Sequence, residues 1–377
     1  MAAAVGARVP FHGWRMVAVA FMVDFVAVGF FFYSFGIFYR AIDADFAGAT
    51  VWVAAGISVS NLIGGLFGPY IGQLLDRRPL KRVMIAGACI VSAGFVALSQ
   101  TQSLWQYYLV LGTFFAIGLS MMGGMASTKL VANWFMLKRG RALGIATMGV
   151  SLSGIVMPPV ATWLVEQFGW RGGFQIYAVG ILVIVLPLVG LFVITSPEDV
   201  GQRPDGDAPD APPTPLAAAD VHWSTRDMLR AANFWAIALA FGLAFTCLSA
   251  VLIHLPPYAA DLGFSGYQAA GVLSASAFAG MLGKPVFGSL VDRGDPRVAA
   301  WASFAAQFAG LALLMSAVML LNHLSEREDD ESYRETGTRI RNAYDTALRD
   351  GDKTRDIGGE LGTQAFADAI IARLGRD

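Results

Sequence analysis

Nine stretches of this chain stay apolar for close to the length that crosses a hydrocarbon core, about 20 residues of helix. They cover residues 16–39, 51–75, 83–99, 104–128, 142–165, 174–195, 234–258, 267–291 and 298–321. Most carry no Asp, Glu, Lys or Arg; the exceptions are Asp24 in the first and Lys284 in the eighth. Nine core helices of this length do not fit inside one soluble domain, so the pattern predicts membrane spans. The first run is too long for a signal-peptide core and is followed by no small-residue cleavage site, so it is expected to remain as a span.

The connections set the expected orientation. With the N-terminus in the cytoplasm, the inner segments hold 15 Lys/Arg and the outer segments only Arg40 and Arg171. Basic loops stay inside, which predicts a multi-pass protein of the inner (plasma) membrane with a cytoplasmic N-terminus. Residues 196–232, rich in Pro, Asp and Ala, read as a flexible cytoplasmic linker. It divides a six-span bundle (1–195) from three further spans (233–321).

Composition sharpens this picture. Hydrophobic residues make up 55% and charged residues 15% of 377, against about 25% charged in a soluble domain. A net charge of −1 leaves no basic surface for nucleic acid. The two cysteines, Cys89 and Cys247, lie in apolar runs and offer neither a disulfide framework nor metal-ligand spacing. No cofactor is expected.

The two halves repeat one another. After the second run stand Gly72, Asp76, Arg77 and Lys81; after the eighth, 216 residues later, stand Gly288, Asp292 and Arg293, with Arg297 beyond. Trp14 and Trp235 open the first and seventh runs alike. Parallel repeats joined by a long inner loop are the plan of a secondary transporter. In the motif, glycine permits close helix approach, and the aspartate is placed to pair with a base or to meet a helix N-terminus. The basic residues hold the loop inside, so the set reads either as a gating clasp or as a positive-inside anchor.

These residues resemble the loop signature of the major facilitator superfamily. Asn133-Trp134-Phe135-Met136-Leu137-Lys138-Arg139-Gly140-Arg141, with Gly144, Gly149, Gly154, Pro158-Pro159 and Gly169-Trp170-Arg171, is similar to the fourth-to-fifth-span region of its monocarboxylate/oxalate–formate branch. His12-Gly13-Trp14 and Tyr33-Ser34-Phe35-Gly36 resemble that branch too, and the resemblance covers about 11–312. It implies alternating-access transport of a small mono- or dicarboxylate by proton symport or anion exchange. This sequence departs from the proton-coupled carriers at one pair: where they resemble one another in an Asp four residues before an Arg, it has Gly280 and Lys284. The cation is kept and the acid is missing.

Lys284 is the leading candidate for binding an anion, because a cation inside a span faces a cavity or a partner; the competing role is snorkelling toward the surface. Asp24, roughly 12 Å into its span, is placed to carry a proton, to pair with Lys284 or to hydrogen-bond a neighbouring helix. Tyr33 and Asn61 are candidates for lining the path, though such residues also serve as helix–helix glue. Pro158-Pro159 and Pro256-Pro257 are expected to kink or break their helices.

The end of the chain is different. Residues 323–377 hold 9 Lys/Arg and 13 Asp/Glu and cannot cross a bilayer. Ile340, Ala343, Tyr344, Ala347 and Leu348 fall at helical spacing, and Thr363 is placed to cap a second helix carrying Phe366, Ala369, Ile370 and Leu374. Thr354-Arg355-Asp356-Ile357-Gly358-Gly359, Gly362-Thr363-Gln364 and Asp368-Ala369 resemble the C-terminal end of β-decarboxylating dehydrogenases, and 313–324 is similar to the helix before it. None of that family's catalytic or metal-binding positions can be placed, so no enzyme activity is expected. The expectation is therefore an all-α membrane protein of the major-facilitator type with a six-span first half, a second half truncated to three spans and a soluble helical tail (322–377). Such a composite, joined near 311–315, is either an impaired carrier or a membrane piece without transport.

Overall fold

The computed structural model describes residues 11–46, 50–206, 225–261, 266–295 and 297–310, with 312, 346, 347, 349, 350, 352 and 365 beyond them. Two compact units divide the chain at Ser303 and Phe304. Among the described residues there is no strand, and each of the first eight apolar runs is helical.

The first run forms α1 (Gly13–Val28) and α2 (Ser34–Asp45), joined through a π-helical turn at Gly29–Tyr33. Next come α3 (Thr50–Arg77) and α4 (Leu80–Ser99), separated at Pro79, which disfavours helix at the residue before it. The fourth run forms α5 (Leu104–Val110), a second π turn (Leu111–Phe115), α6 (Ala116–Met122) and α7 (Gly124–Trp134). The fifth and sixth runs form α8 (Arg139–Phe192), which is interrupted by non-helical backbone at Gly169, φ 67° and ψ 172°. Only glycine adopts that conformation without strain. Of the expected kink or break at Pro158-Pro159, the break does not occur: helix continues through both prolines, and Thr162 Oγ1 donates to the Pro158 carbonyl at 3.0 Å. Helix likewise continues through Pro256-Pro257, within α10 (Ala232–Asp261), which follows the short α9 (Thr225–Arg230). The eighth run is α11 (Gly266–Arg293), and residues 297–310 are again helical.

Four helical stretches among the described residues are long and apolar enough to cross a membrane: Gly13–Tyr33, Leu80–Ser99, Leu104–Trp134 and Arg139–Phe192. The surface fits that use. Leu191, Phe245 and Tyr70 are 76%, 70% and 69% exposed, whereas Asp24 is 4% exposed and Ser34 and Ser153 are fully buried. Polar groups inside and apolar groups outside is the arrangement a lipid environment selects.

The core of the first unit is aromatic. Phe30 stacks on Tyr177 at 4.3 Å, Phe38 on Phe174 at 4.4 Å and Phe31 on Phe115 at 4.7 Å. The last of these pairs joins the two π turns. Ser34 Oγ lies 2.8 Å from the Tyr177 hydroxyl, so the one polar tip in this cluster has a partner.

Glycines on the first half of α8 set its packing. A methyl at Gly149 would lie 2.1 Å from the Phe21 carbonyl of α1, and one at Gly144 would lie 2.6 Å from the Lys284 carbonyl of α11. Small residues let both backbones come this close. α8 is thereby wedged between α1 and α11.

The linker is built at its start. Pro197–Val200 forms a turn of 3-10 helix closed by a capping box between Ser196 and Asp199. Residues 207–224 lie outside the described residues. So do the side chain of Cys247 and the tail residues expected to be helical, apart from Ala347, which is buried.

Candidate functional site

Lys284 sits in α11 next to Pro285 and faces α8. Its ammonium donates to the Thr147 carbonyl at 2.8 Å and to Ser151 Oγ at 2.8 Å. Thr147 and Ser151 are four residues apart, so both lie on one face of α8. An ammonium has three N–H donors, and these contacts use two. Among the described residues no carboxylate comes within ion-pair distance of Lys284.

Asp24 lies in α1, which packs against α8 as α11 does. Asp24 Oδ1 accepts the Gly124 backbone N–H at 3.0 Å. That amide opens α7, just after extended backbone at Gly123. This bond ties Asp24 to the neighbouring helix at a break within the fourth run. Asp24 and Lys284 thus stand on two helices that both pack against α8.

Tyr33 and Asn61 are not part of that pair. The Tyr33 ring packs over Gly154 of α8, where a methyl would approach it to 2.8 Å. Asn61 lines a separate cavity of about 230 Å3 with Phe32, Ser60, Phe115 and Ser120, where the two π turns converge. π turns recur at functional positions in helices.

The repeated motif has two different surroundings. In its second copy, Gly288 meets Gly140 with almost no gap: a methyl on Gly288 would stand 2.2 Å from the Gly140 carbonyl. Asp292 accepts the amides of Gly140 at 2.5 Å and Arg141 at 2.7 Å. A carboxylate there also meets the positive end of α8. In the first copy Asp76 pairs with Lys129. A methyl on Gly72 would have only Met125 Cε nearby, at 3.7 Å. Arg77 and Arg293 are exposed, and Lys81 is half-buried. An open groove of about 830 Å3 runs along Gly72, Asp76, Met125 and Lys129.

At the opposite end, Asp45 accepts from the Arg171 guanidinium and from Trp170 Nε1, the latter at 2.9 Å. Arg171 also donates to the Thr101 carbonyl at 3.2 Å and lies 4.0 Å over the Trp170 ring. The hydrogen bond from Arg171, then that from Trp170, holds the Asp45 carboxyl below its ordinary value of 3.8.

Sequence reasoning does not single out Thr147, Ser151 or Gly124. The signals are present: a Thr and a Ser one turn apart on a glycine-rich helix, and the pair Gly123-Gly124 inside an apolar run.

A lipid-suited helical bundle with a buried carboxylate, a half-buried cation and a Gly–Asp–Arg pattern that occurs twice defines a polytopic membrane protein. The family model of the Major Facilitator Superfamily matches residues 17–325, and the chain belongs to that superfamily. It is 29% identical over 289 residues to human monocarboxylate transporter 11, covering 75% of this chain and 57% of that one. It is 29% identical over 312 residues to rat monocarboxylate transporter 3 (81% and 61%). It is 26% identical over 324 residues to monocarboxylate transporter 2 of Mesocricetus auratus (81% and 65%). The chain thus spans about three-fifths of the length of these relatives. The family match runs through the ninth apolar run.

Proposed function

We propose that this protein is a secondary transporter of a small organic anion, a mono- or dicarboxylate, working by alternating access. It would be a multi-pass protein of the plasma membrane, with the basic ends of its helices and its N-terminus in the cytoplasm; the 15-to-2 bias of Lys/Arg supports that orientation. The observation that carries the reading is Lys284, a cation held inside the bundle by two neutral acceptors. A substrate carboxylate is the natural third partner. The relatives' names, all monocarboxylate transporters, support the substrate class.

The test is uptake and counterflow of labelled short monocarboxylates and dicarboxylates into proteoliposomes. Saturable uptake, accelerated by the same anion inside and lost in K284A, supports the reading. Absence of saturable uptake for every anion contradicts it.

A second reading rests on the dehydrogenase-like residues 354–369. In it, the tail is a foreign piece joined to a membrane segment that does not transport. It predicts normal membrane insertion with no counterflow. Reading the coding DNA across codons 305–325 checks whether the junction is real.

A further inference from the structure

At the basic end of the bundle one turn of backbone, 136–141, presents five amides to two carboxylates. Asp205, from the start of the linker, takes those of Met136 at 2.9 Å, Leu137 at 2.8 Å and Lys138 at 3.1 Å. Asp292, from the second half of the repeat, takes those of Gly140 and Arg141. Asp205 does this from left-handed backbone, φ 61°, the one non-glycine residue with positive φ among the described residues. Asp tolerates that conformation better than most residues, but it persists only where the surroundings impose it. The surroundings here are extensive. His12 N–H donates to Gln202 Oε1 at 3.1 Å. Trp134 Nε1 donates to the Ile194 carbonyl at 2.9 Å, and Asn133 Nδ2 to that of Thr195 at 3.0 Å. Residues 194–206 are therefore fastened to the residue before α1 and to the end of α7, next to the turn that Asp292 meets, and Asp205 reaches the turn itself.

The geometry points to Asp205 as a positioning residue for the gate: the linker strap fixes the 136–141 turn in the shape that receives Asp292. The two carboxylates have different histories in a transport cycle. Asp205 belongs to the same half as the turn and stays with it. Asp292 belongs to the other half and must leave whenever α8 and α11 part at this end. With Asp205 in place, the Gly140 and Arg141 amides are already oriented when Asp292 returns, so closing orders less backbone. This inference rests on the alternating-access reading above.

The experiment reads the gate without substrate. Spin labels go on L137C and L290C, both exposed positions, in the full chain with Cys89 and Cys247 replaced by Ser, reconstituted in nanodiscs. Their distance distribution is compared among the parent, D205G, D205N and D292N. Glycine suits the backbone angle at 205, so D205G removes the carboxylate and leaves the chain path free of strain. The expected result is a shift toward longer distances in D205G, in the direction of D292N, with D205N between. If D205G does not fold, the same shift, smaller, is expected in D205N. A distribution unchanged by loss of Asp205 while D292N shifts it overturns the proposal, as does a fall in melting temperature with no change in distance. Loss of uptake alone leaves these distances intact, so failure of the transport reading and failure of the strap are told apart.

Discussion

The Asp292 carboxylate accepts the backbone N–H of Gly140 at 2.5 Å, so the charged end of α11 caps the first turn of α8. The same two helices touch at Gly288 and Gly140 with no room for a side chain. Lys284 reaches α8 one turn before that contact, measured from Gly288. One helix pair thus carries a close glycine contact, a carboxylate clasp and the half-buried cation.

The glycine contact predicts an asymmetry between the two copies of the motif. G288A sets a methyl against the Gly140 carbonyl, and overpacking of this kind costs about 1–3 kcal/mol. G72A adds a methyl near Met125 Cε at 3.7 Å, an ordinary contact. In thermal unfolding of the detergent-solubilised chain, G288A melts lower than the parent and G72A melts with it.

The aspartates should differ in the same sense. Asp292 makes charge-assisted hydrogen bonds to two amides, and a hydrogen bond to a charged group contributes about 1.5–3 kcal/mol. Asp76, whose side chain is 71% exposed, pairs with Lys129 at the surface, where such pairs contribute about 0–1 kcal/mol. D292A is expected to lower stability clearly and D76A only slightly, as read from the same melts.

Asp24 separates two roles, capping and charge. D24N keeps an oxygen for the Gly124 amide and removes the charge; D24A removes both. The buried amide left alone in D24A costs about 1–3 kcal/mol. The expected order of melting temperature is parent close to D24N, then D24A. Equal loss in both variants would show that charge, rather than the cap, holds α7 in place.

The Asp45 latch makes stability depend on pH at the far end of the bundle. Its folded carboxyl titrates below the ordinary value of 3.8, because Arg171 and Trp170 favour the ionised form. A lowered folded value adds stability above the unfolded value, and this contribution disappears as pH falls through the folded one. The melting temperature of the parent should therefore drop more steeply below about pH 4 than that of D45N. Parallel curves for the two proteins would remove Asp45 from the account.

Much of this architecture is legible in the sequence, because lipid leaves so few choices. A run of some 20 apolar residues satisfies its backbone only as helix, and all of the first eight runs are helical. The two copies of the motif are legible as well, yet their surroundings are not: Gly72 and Gly288 stand in the same pattern, and only Gly288 is pressed against another backbone. Local rules misplace the break in α8. Pro158-Pro159 suggests it, yet the helix runs on through both prolines; Gly169, in left-handed backbone, makes the break. Lys284 and Asp24 stand out as charges within apolar runs. Their partners do not, since a Thr carbonyl, a Ser hydroxyl and a glycine amide look ordinary until the helices are packed. Asp205 is hidden further still. It lies in a Pro/Asp-rich linker that reads as unstructured, and its role depends on amides 67 to 69 residues away.

The central claim is that Lys284 holds the carboxylate of a transported anion. The most direct measurement is equilibrium binding of labelled short monocarboxylates and dicarboxylates to the full chain in nanodiscs, comparing the parent with K284Q and K284R. The account predicts saturable binding of at least one such anion by the parent, loss of that binding in K284Q and partial retention in K284R. Equal binding by parent and K284Q, or no saturable binding of any of these anions, contradicts it.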